Sequence, residues 1–205
     1  MYLGSANSAV GVVRVSDGEL VATNLSTHVG YGSLGMLSLT GGTLRLGTCW
    51  VGYRAGPGGM ITVDDGTAIF NSSVILGSQP GSTGLLQING GMVSAINGGV
   101  IIGQFGRGSM ILSNGTLHTQ ALDLGGGAGA SGDFVAEGGL TRVSSSVTLG
   151  NCGTGANGNL CVSGADVFVT NAAHDGTLYA HAGTLTVEAG SLTVDRLVVT
   201  GACAR

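Results

Sequence analysis

The stretch Val29-Gly30-Tyr31-Gly32-Ser33-Leu34-Gly35-Met36-Leu37-Ser38-Leu39-Thr40-Gly41-Gly42-Thr43-Leu44 decides the fold. Its aliphatic side chains alternate with polar or small ones after Gly35. Alternation with a period of two predicts a β-strand that buries one face. The glycines beside the strands predict sharp turns, because glycine alone adopts such backbone angles at low cost.

Three glycines of this stretch recur along the chain. Counterparts of Gly35 are spaced by 24 to 26 residues: Gly11, Gly59, Gly84, Gly108, Gly132, Gly158 and Gly183. Counterparts of Gly42 come six or seven residues later: Gly18, Gly66, Gly91, Gly115, Gly139, Gly164 and Gly190. Counterparts of Gly30, which close another strand, are Gly4, Gly52, Gly77, Gly103, Gly125, Gly150 and Gly176. Self-similarity at a fixed period of this length indicates a repeat architecture.

Apolar side chains keep fixed places relative to these glycines. The second position after the first glycine holds Val13, Leu37, Ile61, Leu86, Met110, Phe134, Leu160 and Leu185. The fourth position holds Val15, Leu39, Val63, Ile88, Leu112, Ala136, Val162 and Val187. One strand cannot bury its apolar face alone, whereas stacked copies bury a continuous column of like side chains.

We therefore predict an all-β chain folded as a right-handed parallel β-helix, a solenoid of about eight coils of ~24 residues with three short strands each. An up-and-down antiparallel barrel is the alternative, which the three-strand unit disfavours. The prediction is a single β-helix domain over 1–205, with regular coils over 1–171, an irregular coil over 172–183 and a final coil over 184–205. In the irregular coil, His174-Asp175-Gly176 is expected to replace the apolar pair before the third glycine.

The composition narrows the class of function. Charged residues make up 9% of the chain, lysine is absent and the formal net charge is −4. Nucleic-acid binding is disfavoured, because it depends on clustered basic side chains that release counterions from phosphates. We expect no transmembrane segment, because no apolar run reaches the roughly 18–20 residues that span a bilayer as a helix.

The repeat unit has the form LxLGxxxxGxGxLxVxxGxLxxxxL, seen over 29–44 and again over 74–91. It resembles the repeats of autotransporter passengers and of large bacterial surface proteins that carry PEP-CTERM sorting tails. The resemblance covers residues 1 to about 171 well and the remainder loosely, and it is specific for architecture rather than activity. It implies an exported β-helix, extracellular or displayed on the bacterial cell surface.

Enzymes that cleave polysaccharides need carboxylates that converge on one face together with a basic group. The acidic residues of this chain are scattered over different columns. The best cluster is His174, Asp175 and His181, with Asp166 one coil back. It lies where the repeat is irregular, but an irregular coil alone explains it as well. We expect no catalytic residues.

No cofactor and no metal are expected. Gly127 to Gly132 match GxGxxG, but the next residues predict a strand rather than the helix that a dinucleotide site needs. Asp64-Asp65 could touch Ca²⁺, which needs six or more oxygens, so we interpret the pair as a solvated turn. His28 and His118 are expected to be isolated and exposed.

Four cysteines are present: Cys49, Cys152, Cys161 and Cys203. Cys49 occupies an inward column and is expected to be a small apolar core residue. Cys152 and Cys203 lie two coils apart by strand spacing, about 10 Å, which is too far for a disulfide. A bridge between Cys152 and Cys161 within one coil stays open.

The leading hypothesis is a non-enzymatic structural or adhesive module, a stiff rod that self-associates through its coil ends into filaments. Head-to-tail contacts of this kind do not close and therefore give open assemblies. A cell-surface glycan or protein is a further candidate partner. The alternative is a carbohydrate-binding or carbohydrate-active β-helix protein, whose expected marker is a groove along one flank with two or more carboxylates and an Arg.

Overall fold

The computed structural model describes residues 1–5, 8–151 and 154–200, and these residues form strands and turns. The strands are β1 (Tyr2–Leu3), β2 (Gly11–Val15), β3 (Glu19–Ala22), β4 (Thr27–Val29), β5 (Gly35–Leu46), β6 (Cys49–Val51), β7 (Gly59–Phe70), β8 (Val74–Leu76), β9 (Thr83–Ile88), β10 (Met92–Ile102), β11 (Arg107–Leu112), β12 (Thr116–Leu124), β13 (Ser131–Ala136), β14 (Leu140–Leu149), β15 (Asn157–Val169), β16 (Thr177–Ala180), β17 (Gly183–Val194) and β18 (Arg196–Val199).

Every strand pairs in parallel with the strand one repeat away. Leu37 pairs with Val13 on one side and with Ile61 on the other, and Ile61 pairs in turn with Leu86. The predicted column therefore exists. The all-β parallel β-helix is confirmed as a solenoid of about eight turns, and parallel pairing excludes the antiparallel barrel.

Each coil has three faces. Face 1 starts at the first glycine, face 2 follows the second glycine, and face 3 ends before the third. In several coils two faces share one long strand: β5 runs through faces 1 and 2, with a register shift at Thr40 and a corner at Gly42, where φ is 74°. Three separate short strands, as predicted, are seen in the first coil, whereas other coils join two of their faces.

The core is one cluster of aliphatic side chains that runs from Leu3 to Leu178. Leu37, Ile61 and Leu86 are at most 1% exposed, and the largest buried side chains are Phe70 and Phe134. Like side chains follow one another along each column at about the 4.8 Å spacing of paired strands. The hydrophobic effect thus favours the stack as a whole rather than any single coil.

The glycine columns are required for two different reasons. Most glycines of the second and third columns have positive φ, for example Gly42 at 74° and Gly30 at 78°. Gly59 of the first column has no positive φ, but a Cβ there would overlap the backbone carbonyl oxygen of Val29 and crowd the amide of Gly52. At this corner two segments of backbone touch, and no side chain fits between them.

The irregular coil departs from the prediction. Its face 3 strand is β16, in which Leu178 pairs with Val147 and Ala180 with Leu149. His174-Asp175-Gly176 therefore does not replace the apolar pair but lies in the preceding turn. The third-column position is occupied by His181, whose amide donates to the carbonyl of Leu149 at 3.0 Å. Assigning Gly176 to this column was wrong.

We expect Gly59→Ala to lower the free energy of unfolding by about 1–3 kcal/mol, as overpacking does, because the new methyl group must push two backbones apart. Urea denaturation followed by circular dichroism measures the change. The matched control is Gly32→Ala, where a Cβ would meet no atom within 4 Å. Equal destabilisation by both substitutions would contradict the steric explanation.

Candidate functional site

The predicted cluster of His174, Asp175, His181 and Asp166 is not assembled. The nearest partner of His174 is Asp195, with Nδ1 and Oδ1 3.6 Å apart. The Asp175 carboxylate accepts a hydrogen bond from Asn171 Nδ2 at 2.6 Å. These contacts tie down a turn rather than form a catalytic arrangement.

The other two members of the cluster have separate partners. His181 stacks on Tyr179, with ring centroids 5.6 Å apart, and its Nδ1 lies 2.9 Å from Thr200 Oγ1. Asp166 accepts a hydrogen bond from Ser191 Oγ at 2.6 Å. Among the described residues, no three His, Cys, Asp or Glu side chains are close enough to share a metal ion.

Asp195 is the anchor of the irregular turn. Its Oδ2 accepts hydrogen bonds from the backbone amides of Asn171 at 3.0 Å and Gly176 at 3.1 Å. The side chain is 10% exposed, whereas that of His174 is 86% exposed. His174 also has φ of 54°, an uncommon conformation for a residue other than glycine. The carboxylate therefore adds two hydrogen bonds to a turn whose own backbone supplies one, from the His174 amide to the carbonyl of Asn171 at 3.1 Å.

The remaining predicted sites are parts of turns and strands. The GxGxxG stretch leads directly into strand β13, as the sequence predicts. Asp64 accepts a hydrogen bond from Asn89 Nδ2 of the next coil, and Asp65 accepts one from the backbone amide of Gly66, each at 2.7 Å. Both carboxylates therefore have partners within the solenoid.

The cysteine predictions are tested only in part. Cys49 is fully buried, and burial raises the pKa of its thiol to about 12, so it is an apolar core residue as predicted. Cys161 is half-buried and has a free thiol, which does not fit the bridge to Cys152 that the sequence left open. Cys152 and Cys203 themselves lie outside the described residues.

An aromatic cluster covers face 3 of the first coils. The rings of Tyr2, His28 and Trp50 stack in order, with centroids 4.7 Å and then 6.2 Å apart. Tyr31 and Tyr53, in the turn after face 3, stack on each other at 5.2 Å and meet His28 edge-on. The cluster therefore contains two parallel files of rings, one residue per coil.

His28 is the buried centre of this cluster. It is 7% exposed, and its Nδ1 has no hydrogen-bond partner among the described residues. Desolvation, followed by repulsion from the N-terminal ammonium group, lowers the pKa of its imidazole. His118 is half-buried, with an equally unpartnered Nε2. The prediction that both histidines are exposed was wrong, and His28 is not isolated, because it lies among four aromatic rings.

The signal that could have revealed the cluster is present in the sequence. Tyr2, His28 and Trp50 each stand between the two apolar positions of face 3, and the structure pairs them in register. Treated as one column rather than as three outward residues, they predict a stack, because side chains at equivalent positions of neighbouring coils lie about 4.8 Å apart.

The last coil exposes its interior side chains. Val187, Leu197 and Val199 continue buried columns, yet they are 48%, 55% and 70% exposed. Strand β17 pairs with β15, and β18 pairs with β16; the other edges of both strands have no partner among the described residues. This surface combines open apolar positions with unpaired backbone groups.

The first coil presents the opposite edge. Strands β2 and β3 pair with β5, and β1 pairs with β4. Val13, Leu20 and Ala22 of these columns are only partly buried. Because all strands are parallel, the first and last coils have complementary edges, and one can be stacked on the other without reversing the chain direction.

Comparison with protein-family models, curated proteins and solved structures finds no match for this chain. Its class, a parallel β-solenoid repeat protein, therefore rests on the strand register alone. Within the described residues, no helix meets the requirements for traversing a membrane.

We expect Asp195→Ala to lower the free energy of unfolding by about 1–3 kcal/mol, because the amides of Asn171 and Gly176 lose their acceptor. Thermal unfolding measures the change. Asp175→Ala is the control, since this exposed carboxylate bonds one side-chain amide and should cost much less. If both substitutions lowered the stability equally, Asp195 would not be the anchor of the turn.

His28 predicts a pH dependence of stability. Its pKa in the folded protein lies below the ordinary histidine value of 6.5, so the unfolded chain binds the proton more readily. The stability contributed by neutral His28 is complete above pH 6.5 and declines as the pH falls through the folded pKa. Thermal midpoints between about pH 7.5 and 5 should therefore fall more steeply for the wild type than for His28→Phe, which keeps the stack.

The control for this pH series is His174→Asn, which removes an exposed histidine and tolerates the left-handed backbone. Its midpoints should follow the wild type. A slope for His28→Phe equal to the wild-type slope would mean that His28 does not sense pH through burial.

Proposed function

We propose that this chain is a non-enzymatic structural module, a stiff rod that extends by stacking the last coil of one copy on the first coil of the next. The observation that carries the proposal is the surface of the last coil, where Val187, Leu197 and Val199 of the interior columns are open to solvent. Continuing those columns removes apolar area from water and pairs the free edges.

The shape of the module suits such a role. Eight to nine stacked coils at about 4.8 Å give a rod roughly 40 Å long. An end contact of this kind joins two different surfaces, so it propagates into a filament instead of closing as a dimer.

We further propose that the rod is displayed outside the cell, on the bacterial surface or in the extracellular space. This rests on the resemblance of the repeat unit to autotransporter passengers and PEP-CTERM surface proteins. Protease shaving of intact producing cells tests it: release of peptides from this chain supports surface display, and complete protection argues against it.

The carbohydrate-active alternative has less support. Its marker is a flank groove with two or more carboxylates and an Arg. The groove on the flank of face 3 is lined by one carboxylate, Asp123, and by no Arg among the described residues. Glycoside hydrolysis ordinarily needs two carboxyl groups about 5–9.5 Å apart.

End-to-end stacking predicts concentration-dependent assembly of the wild-type chain. Sedimentation velocity should show growing species, and electron microscopy should show rods in multiples of roughly 40 Å. Leu197→Arg should abolish this growth, because it places a charge on the apolar contact surface. Monomers alone, even at high protein concentration, would overturn the proposal.

The matched control is Thr193→Arg, which adds the same charge to an exposed, outward position of the same coil. It should assemble like the wild type. Loss of assembly in both variants would point to general charge repulsion instead of a specific end contact.

A further inference from the structure

A groove of about 430 Å³ runs along the flank formed by face 3 and the turn that follows it. It lies on the same flank as the aromatic cluster, several coils further along. Its principal lining residues are Ile101, Asp123 and Thr148 from face 3, and Gln104, Phe105 and Asn151 from the turn. His181 lines it at the end nearer the last coil. Volumes of this size are typical of small-molecule sites.

The groove exists because one side chain is missing. Gly126 occupies the turn position that Tyr31 and Tyr53 fill in the early coils, and the same backbone bond holds it: its amide donates to Gly103 at 2.9 Å, as that of Tyr53 does to Gly30. A Cβ on Gly126 would meet only Ile101 Cγ2 at 3.7 Å and two carbonyl oxygens at 4.0 Å. Neither backbone geometry nor close packing therefore requires glycine here.

The polar groups of the groove are held in place. Gln104 Oε1 accepts from Ser78 Oγ at 3.3 Å, which leaves the Gln104 amide nitrogen to donate. Asn151 Nδ2 donates to the carbonyl of Gly126 at 3.0 Å, which leaves its amide oxygen to accept. Asp123 is half-buried and its carboxylate has no hydrogen-bond or ion-pair partner among the described residues. The groove is therefore lined by a hydrogen-bond donor from Gln104, an acceptor from Asn151 and the carboxylate of Asp123.

This set of groups suits the hydroxyls of a sugar. A carboxylate accepts hydrogen bonds from two adjacent hydroxyls, and charge-assisted bonds of this kind are the stronger ones. Phe105, 44% exposed at the groove, offers an apolar surface to the C–H face of a pyranose ring. Asp123 disfavours acidic sugars, because the lining contains no Arg to compensate a second negative charge, and its one basic side chain, His181, has its Nδ1 2.9 Å from Thr200 Oγ1.

We propose that this flank groove binds a neutral pyranose unit of a glycan, with Asp123 as the hydroxyl acceptor and Phe105 as the stacking surface. The site goes beyond the structural role and does not depend on end-to-end stacking. It would hold the sugar without cleaving it, since it contributes a single carboxylate.

The test is isothermal titration calorimetry of the full chain with cellohexaose, chitohexaose and mannohexaose, and with polygalacturonate as the acidic comparison. We expect at least one neutral oligosaccharide to bind more tightly than polygalacturonate. Gly126→Phe fills the groove as the tyrosines do in the early coils, and should weaken that binding by at least about tenfold. Gly32→Phe adds the same ring at an open turn glycine outside the groove and should leave binding unchanged.

Asp123→Asn is the second variant, and it tests the site even if Gly126→Phe fails to fold. It preserves shape but replaces the anion with an amide, and should weaken binding by about tenfold, the effect of losing a charge-assisted hydrogen bond. Three outcomes would overturn the proposal: no binding of the neutral oligosaccharides, binding unchanged in a folded Gly126→Phe or Asp123→Asn variant, or tighter binding of polygalacturonate. Assembly by sedimentation is measured on the same samples, so that failure of this site and failure of end stacking are separable.

Discussion

The close approach of backbone to backbone at the corner between faces 3 and 1 is the constraint on which the solenoid depends. At Gly59 the chain touches the carbonyl of Val29 and the amide of Gly52, so that any side chain would force the coils apart. The interior columns can stay in register only while this corner stays narrow. The glycines of the first column therefore reflect a steric requirement of the stack rather than flexibility.

Stacking leaves two kinds of surface open to solvent, the two ends of the rod and its flanks. The ends expose the columns themselves, so their chemistry is the chemistry of the core, apolar and edge-rich. The flank exposes only outward-pointing positions, and the aromatic cluster and the groove lie there at equivalent positions of different coils. The proposed end contact and the proposed flank site share no residues, so either can be altered without changing the other.

The columns of the fold could be predicted because they are periodic. Leu37, Ile61 and Leu86 share a place relative to the first glycine, and the structure pairs them. Gly176 was misassigned because it lies at about the expected distance from the preceding coil, whereas the true strand ends at Ala180 and His181 follows it. The burial of His28 depends on rings contributed by neighbouring coils, which its own surroundings in the sequence do not reveal. The groove was harder still, since its cause is the absence of a side chain at Gly126.

At the position of Gly126, the presence or absence of one side chain decides whether the flank is filled or open. At this position of four successive coils the backbone amide donates the same hydrogen bond, of 2.9 to 3.0 Å, whichever side chain the residue carries. The four residues are Tyr53, Ser78, Gln104 and Gly126. One substitution at this position can therefore replace an aromatic side chain by a cavity without changing the backbone. In a fold of this kind, a recognition surface can be gained or lost one coil at a time, by substitution at one position per coil, while the backbone stays the same.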